Sequence, residues 1–204
     1  MNAINPSLST QQIDHIRELA ALASQAQGAC AFDCSISAAS HHESGHAVIH
    51  AATGFPPASV SIKPVKHDAG WTGLTLYSDG HPGKRDLDIR NHPDEGIAVL
   101  ACIIAGWAGE ISFEDDAFRL GSSLDEVAQF NDMACAIAIH HELPHTLPFA
   151  IIETVLSILD QERATMVSLA MALRRENRIR GPKLLALLAN VQKRDIPAMV
   201  RAML

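Results

Sequence analysis

Ser40-His41-His42-Glu43-Ser44-Gly45-His46-Ala47-Val48-Ile49 is the stretch on which the reading of this chain turns. Within it, His42-Glu43-Ser44-Gly45-His46 has the pattern H-E-x-x-H. It lies inside a segment from Ser37 to Thr53 that reads as a helix, stopped by Gly54 with Pro56 and Pro57 behind it. Residues four apart on a helix differ by about 40° around the axis and about 6 Å along it, so the two imidazoles can converge on one ion. Glu43 then flanks that ion, where its carboxylate can hold a bound water and take its proton. Zinc suits the set, because a borderline-soft ion on neutral imidazoles with one open position lowers the pKa of bound water to near 7.

A second match, His141-Glu142-Leu143-Pro144-His145, reads as a decoy, since Pro144 lacks an N–H and crowds the preceding turn. For the first match a third protein ligand is needed. The extended H-E-x-x-H-x-x-G-x-x-H form is excluded by Ile49 and Ala52, and no Glu occurs between Glu43 and Glu95 to supply one from a nearby helix. Carboxylates after residue 93 are the candidates, chiefly Glu110 and Asp125.

Outward from this helix, Pro6 and Ser9, with Gln12 three residues on, start a helix whose apolar face is Ile13, Ile16, Leu19, Ala20 and Ala23 and which should run to about Gln27. Val60 and Ile62, then Thr72, Leu74 and Leu76, alternate with their neighbours and predict two short strands of a small sheet. Asp79 to Pro93 is the longest candidate loop. Helices are expected at about 94–113, 122–141, 148–175 and 182–192, with Ser122 or Ser123 capping the second and Gly181-Pro182 separating the last two. The expected class is mainly α with a small β-sheet (α+β): an N-terminal helical arm over 1–37, one domain over 38–192 and a tail over 193–204.

The composition is that of a globular domain: 204 residues, 48% apolar, 16 Lys+Arg against 23 Asp+Glu, net charge −7. An acidic balance argues against a nucleic-acid or anionic-membrane binder. The longest uncharged apolar run, Gly96 to Gly109, falls short of the about 20 residues a membrane span needs and reads as a buried core helix. No signal peptide is apparent, and Cys30, Cys34, Cys102 and Cys135 form no Cys-x-x-Cys pair, so reduced thiols and a cytoplasmic setting are expected.

Other residues have ordinary readings. His50 continues the His42–His46 row but lies too far along the axis to share the ion, and reads as a polar residue at the helix end. His81 and His92 in the loop, and Tyr77 after the second strand, are weak candidates for polarising a carbonyl. Arg174, Arg175, Arg178, Arg180 and Lys183 read as cations near a helix C-terminus.

Ala38 to Val48 resembles the H-E-[A/S]-G-H-A-V signature of the peptidase domain of FtsH-type AAA zinc metalloproteases. Three more segments resemble that family in order. Val60-Ser61-Ile62-Lys63-Pro64 resembles its V-S-I-x-P strand, Ala105 to Glu110 its G-G-R-A-A-E helix, and Gly121-Ser122-Ser123-Leu124-Asp125 its G-A-x-N-D. The resemblance covers roughly residues 38–192, with Trp107 where the family has Arg and Leu124 where it has Asn. It implies an FtsH-like, helical zincin domain in which His42, His46 and Asp125 bind zinc, Glu43 is the general base and Glu110 supports the site. It further implies a metallo-endopeptidase acting on peptides or unfolded protein segments, and self-association into a homo-oligomer. No G-x-x-x-x-G-K-[S/T] motif or membrane span occurs in the chain, so ATP-independent action and no membrane contact are expected. The alternative is a catalytically degenerate peptidase fold kept as a binding or regulatory module.

Overall fold

A computed structural model describes residues 34–66, 70–84, 91–112 and 124–204. The helix expected from Ser9, Cys30, residues 85–90 of the expected loop, and the capping residues Ser122 and Ser123 lie outside the described residues.

The H-E-x-x-H helix is α1 (Ile36–Ala52). Ser35 caps it, its hydroxyl accepting from the Ala38 N–H at 3.0 Å. After it the chain turns through Gly54 at φ 88°, a left-handed conformation that favours glycine. Residues 38–50 are buried without a break, although much of the run is His, Ser and Glu. Such a helix can be central only if its polar groups find partners. Ser40 and Ser44 donate back to the carbonyls of Ser37 and Ser40, at 2.8 and 2.7 Å. Arg174 donates to Ser40 Oγ at 3.1 Å.

The apolar run expected as a core helix is α2 (Pro93–Ile111), buried from Ile97 through Gly109 except at Ala98 and Trp107. Pro93 with Asp94 and Glu95 suits its first turn. It crosses α1 at glycine-to-glycine distance. A Cβ on Gly45 would lie 2.3 Å from the Ala105 carbonyl oxygen, and one on Gly109 2.7 Å from that of His41.

Strand β1 (Ser59–Pro64) is the middle of a three-stranded antiparallel sheet. On one side it pairs with β2 (Trp71–Leu76), placing Val60 opposite Thr75 and Ile62 opposite Gly73. Beyond α3 (Leu124–His140), α4 (Leu147–Gln161) and α5 (Arg163–Glu176) comes β3 (Arg178–Arg180), which pairs with the other side of β1, Val60 opposite Ile179. Then follow α6 (Gly181–Leu188) and α7 (Ile196–Arg201). Seven α-helices and this sheet, among the described residues, make the chain mainly helical α+β. Their shared core includes Ile49, Leu100, Ile104, Phe130, Ile137, Ile151 and Leu169. Among the described residues no helix is long and apolar enough to cross a membrane.

The structure departs from the sequence reading in three places. The single helix expected over 148–175 is two, broken at Glu162, whose buried carboxylate accepts from the Gln192 N–H and from Arg194 at 3.4 Å. The apolar period runs through the break and neither Gly nor Pro marks it, so only these tertiary partners reveal it. Strand β3 was not expected. It exists because Asn177, in the left-handed conformation at φ 58°, ends α5 and its carbonyl accepts from the Ile62 N–H at 2.8 Å. Finally, the expected tail contains α7, capped by Asp195 and anchored by buried Ile196 and Val200. The decoy reading of His141–His145 agrees with the structure: α3 stops at His140 and Glu142 takes φ 52°.

The helix crossing generates a prediction. Gly45→Ala forces α1 and α2 apart and should cost about 1–3 kcal/mol of stability in denaturant unfolding. An unchanged midpoint would show that the crossing tolerates a methyl group.

Candidate metal centre

His42 and His46 project from the same face of α1 toward α2 and α3. Each uses its Nδ1–H on α2, His42 donating to Glu110 Oε1 at 2.6 Å and His46 to the Cys102 carbonyl at 2.8 Å. These bonds fix the tautomers, so both Nε2 atoms present lone pairs. The two Nε2 atoms are 3.0 Å apart, and each is 3.3 Å from Oε1 of Glu126 on α3. With bonds of about 2.0–2.2 Å, the ligand atoms of a tetrahedral zinc lie about 3.4 Å from one another, close to these three separations.

Three electron-pair donors so close repel one another unless positive charge lies among them. Glu126 Oε2 is also buried with no hydrogen-bond partner among the described residues. The space is built by glycine: a Cβ on Gly106 would stand 2.4 Å from both Nε2 atoms. Without a cation, a proton serves. Burial disfavours charge on His42, but hydrogen bonds to Glu110 and Glu126 and the charges of Glu126 and Glu43 outweigh it, holding its pKa well above the usual imidazole value. Burial likewise penalises the Glu126 carboxylate, and its bonds to His42 and His46 overcome that and hold its pKa far below the usual range. His42, His46 and Glu126 could therefore hold a metal ion.

The third position differs from the one the resemblance implied. Asp125 is exposed, and its neighbour Glu126 faces the histidines. Successive helical residues point about 100° apart, so only one of the two can reach inward. The sequence carried the signal: Phe130, Ala134, Ile137 and Ala138 are the buried face of α3, and Glu126 lies one turn before Phe130 on that row. Asp125 instead precedes exposed Gln129 and Asp132. Glu110, on α2, accepts from His42 Nδ1 and orients that ring.

Glu43, next to His42 on α1, is buried and accepts from Thr75 Oγ1 at 2.7 Å. Gly73 gives it room, since a Cβ there would lie 2.3 Å from Glu43 Cγ. A cleft of about 180 Å³ opens over these residues, lined by Glu43, His46, Glu126, Gln129 and, from β2, Gly73 to Thr75. His92 is exposed. Tyr77 borders the same cleft. His50, expected to be a polar helix end, is instead buried against Tyr77 and His81, with ring centroids 4.8 and 4.6 Å away.

Compared with known proteins, the chain matches no family model and no curated sequence.

Two outcomes follow. Glu126→Ala should lose one metal equivalent relative to the wild type and Asp125→Ala none, read by elemental analysis after dialysis; the reverse pattern would restore Asp125 as the ligand. Burial lowers the pKa of His41, with help from the Arg174 charge, and that of His81, each to about 4, and lowers His50 well below 6.5. Their folded values lie below the unfolded value, so the stability they confer as neutral rings is present above about pH 6.5 and lost as pH falls toward about 4. Denaturation midpoints of the metal-free chain across that window should fall steadily, and a flat series would contradict the neutral assignment.

Proposed function

We propose that the protein is a zinc-dependent metallo-endopeptidase acting on peptides or unfolded protein segments. The observation that carries this reading is the triangle of His42 Nε2, His46 Nε2 and Glu126 Oε1 beside the Glu43 carboxylate, at a cleft bordered by the edge strand of the sheet. The resemblance of residues 38–192 to the FtsH-type peptidase domain supports it, with Glu126 taking the place of Asp125.

His42, His46 and Glu126 would hold the zinc, which supplies Lewis acidity to a water and to the scissile carbonyl. Glu110 and the Cys102 carbonyl keep both imidazoles in the ligating tautomer. Strand β2 is at the sheet edge, with the Cys34 carbonyl accepting from the Trp71 N–H at its start at 2.8 Å. An extended peptide adding to that edge would run past Gly73, Leu74 and Thr75, which line the cleft with Glu43. Exposed Leu74 and Leu76 offer it apolar contact on the outer face. Glu43 takes the proton from the attacking water and passes it to the leaving amine, while Thr75 holds its second oxygen. A peptide bond entering as an edge strand must be extended, so a folded domain is a poor substrate and an unstructured chain a good one.

Glu43→Gln preserves shape and removes the base. It should leave the zinc content unchanged and lower the cleavage rate of an unstructured protein by at least about 10²–10⁴-fold. Undiminished turnover by that variant would sink the mechanism. A zinc-loaded wild type that binds unstructured protein without cleaving it would favour the binding-module alternative.

A further inference from the structure

A second group of metal-ligating side chains lies beside the first, and the hydrolysis above makes no use of it. His50 is one turn beyond His46 on α1, His81 precedes the short 3₁₀ turn Pro82–Lys84, and Cys102 is on α2. All three are buried, and one ligand atom from each lies within 4.8 Å of the others. Cys102 Sγ is 3.7 Å from His81 Nε2. Bonds of about 2.3 Å to sulfur and about 2.0 Å to nitrogen give a tetrahedral ligand separation of about 3.5 Å, so this pair has close to the spacing of two ligands on one ion.

A second observation concerns His50. Its Nδ1 is buried with no hydrogen-bond partner among the described residues, an arrangement that is costly in a site with no ligand. The neighbouring ring is held in place: His81 stacks on Tyr77 with centroids 4.4 Å apart and accepts at Nδ1 from the Gly83 N–H at 2.9 Å. Burial keeps both imidazoles neutral, so neither must lose a charge before it can ligate.

We propose that His50, His81 and Cys102 form a second cation site, for a borderline-soft divalent transition metal of the zinc class, on the same cleft as the first. The donor set selects the class, since a thiolate with two imidazoles disfavours the oxygen-seeking magnesium and calcium. His50 and Cys102 line the cleft that also reaches Glu43, His46 and Glu126, which supplies an entry path. Loading is balanced as a proton exchange. The S–H bond of Cys102 breaks as the sulfur–metal bond forms, and that proton leaves to solvent. His81, whose Nδ1 now accepts from Gly83, carries its proton on Nε2 toward the sulfur. That proton moves to Nδ1 and the Gly83 contact opens. Cys102 joins the two sites, because its carbonyl already accepts from His46 Nδ1 while its sulfur would hold the second ion.

Cobalt(II) titrated into the metal-free full chain separates the two sites, because only thiolate ligation produces an intense near-ultraviolet sulfur-to-cobalt charge-transfer band. The wild type should bind one equivalent more than Cys102→Ala and show the band, and Cys102→Ala should lack it. His81→Ala keeps the thiol but removes a donor, and should weaken the band's titration at least about tenfold, of the order seen when a ligand's support is lost. Circular dichroism of each variant reports whether it is folded, and either variant alone suffices if the other is not. His42→Ala should lose the equivalent of the first site while retaining the band, so failure of the peptidase reading and failure of this one are distinguishable. Absence of the band in folded wild type at saturating cobalt, its survival in Cys102→Ala, or its loss in His42→Ala would each overturn the second site.

Discussion

The near contact between α1 and α2 is the constraint on which the rest of the structure depends. At Gly45 and Gly109 the two helices approach to a distance that no Cβ would allow, and at Gly106 the same approach brings the α2 backbone against the imidazole tips of His42 and His46. Because the helices are so close, side-chain groups of one reach backbone and side-chain groups of the other without intervening water. Glu110 can then orient His42, and the Cys102 carbonyl can orient His46. A helix carrying a run of His, Glu and Ser would normally face solvent on one side. Here it is central because Ser40, His42, Glu43, Ser44 and His46 are each given a partner at short range.

The same closeness explains the electrostatics of the site. Burial works against charge on both His42 and Glu126; hydrogen bonds to Glu110 and Glu126 reverse that for His42, and hydrogen bonds to His42 and His46 reverse it for Glu126. The outcome is a pocket whose donors are pre-aimed and whose metal-free state relies on a proton to relieve their repulsion. Further along α1 no carboxylate among the described residues accompanies His50, and burial holds it and His81 neutral. One helix thus carries two imidazole environments of opposite character, at His42 and at His50 about two turns on, set by which side chain of a neighbouring element faces each ring.

Much of the fold is legible in residues taken a few at a time. Gly54, with Pro56 and Pro57 behind it, marks the end of α1; the alternation of Val60 and Ile62 and of Thr72 to Leu76 marks β1 and β2; Pro144 disqualifies the second H-E-x-x-H. Features that depend on distant partners are not legible this way. The break at Glu162 is held by Gln192 and Arg194, β3 by pairing with β1, and α7 by burial of Ile196 and Val200 against helices far earlier in the chain.

For the site, the sequence by itself determined the convergent pair His42 and His46 and the adjacent Glu43, because spacing along one helix dictates direction. Only the tertiary structure decided that Glu126 rather than Asp125 completes the triangle, and that His50, His81 and Cys102 meet at all. The physical reason is the same in both cases. A helix sets the angle between its own residues, but which of those angles faces another element depends on how the elements pack, and that is decided by contacts between residues far apart in the chain.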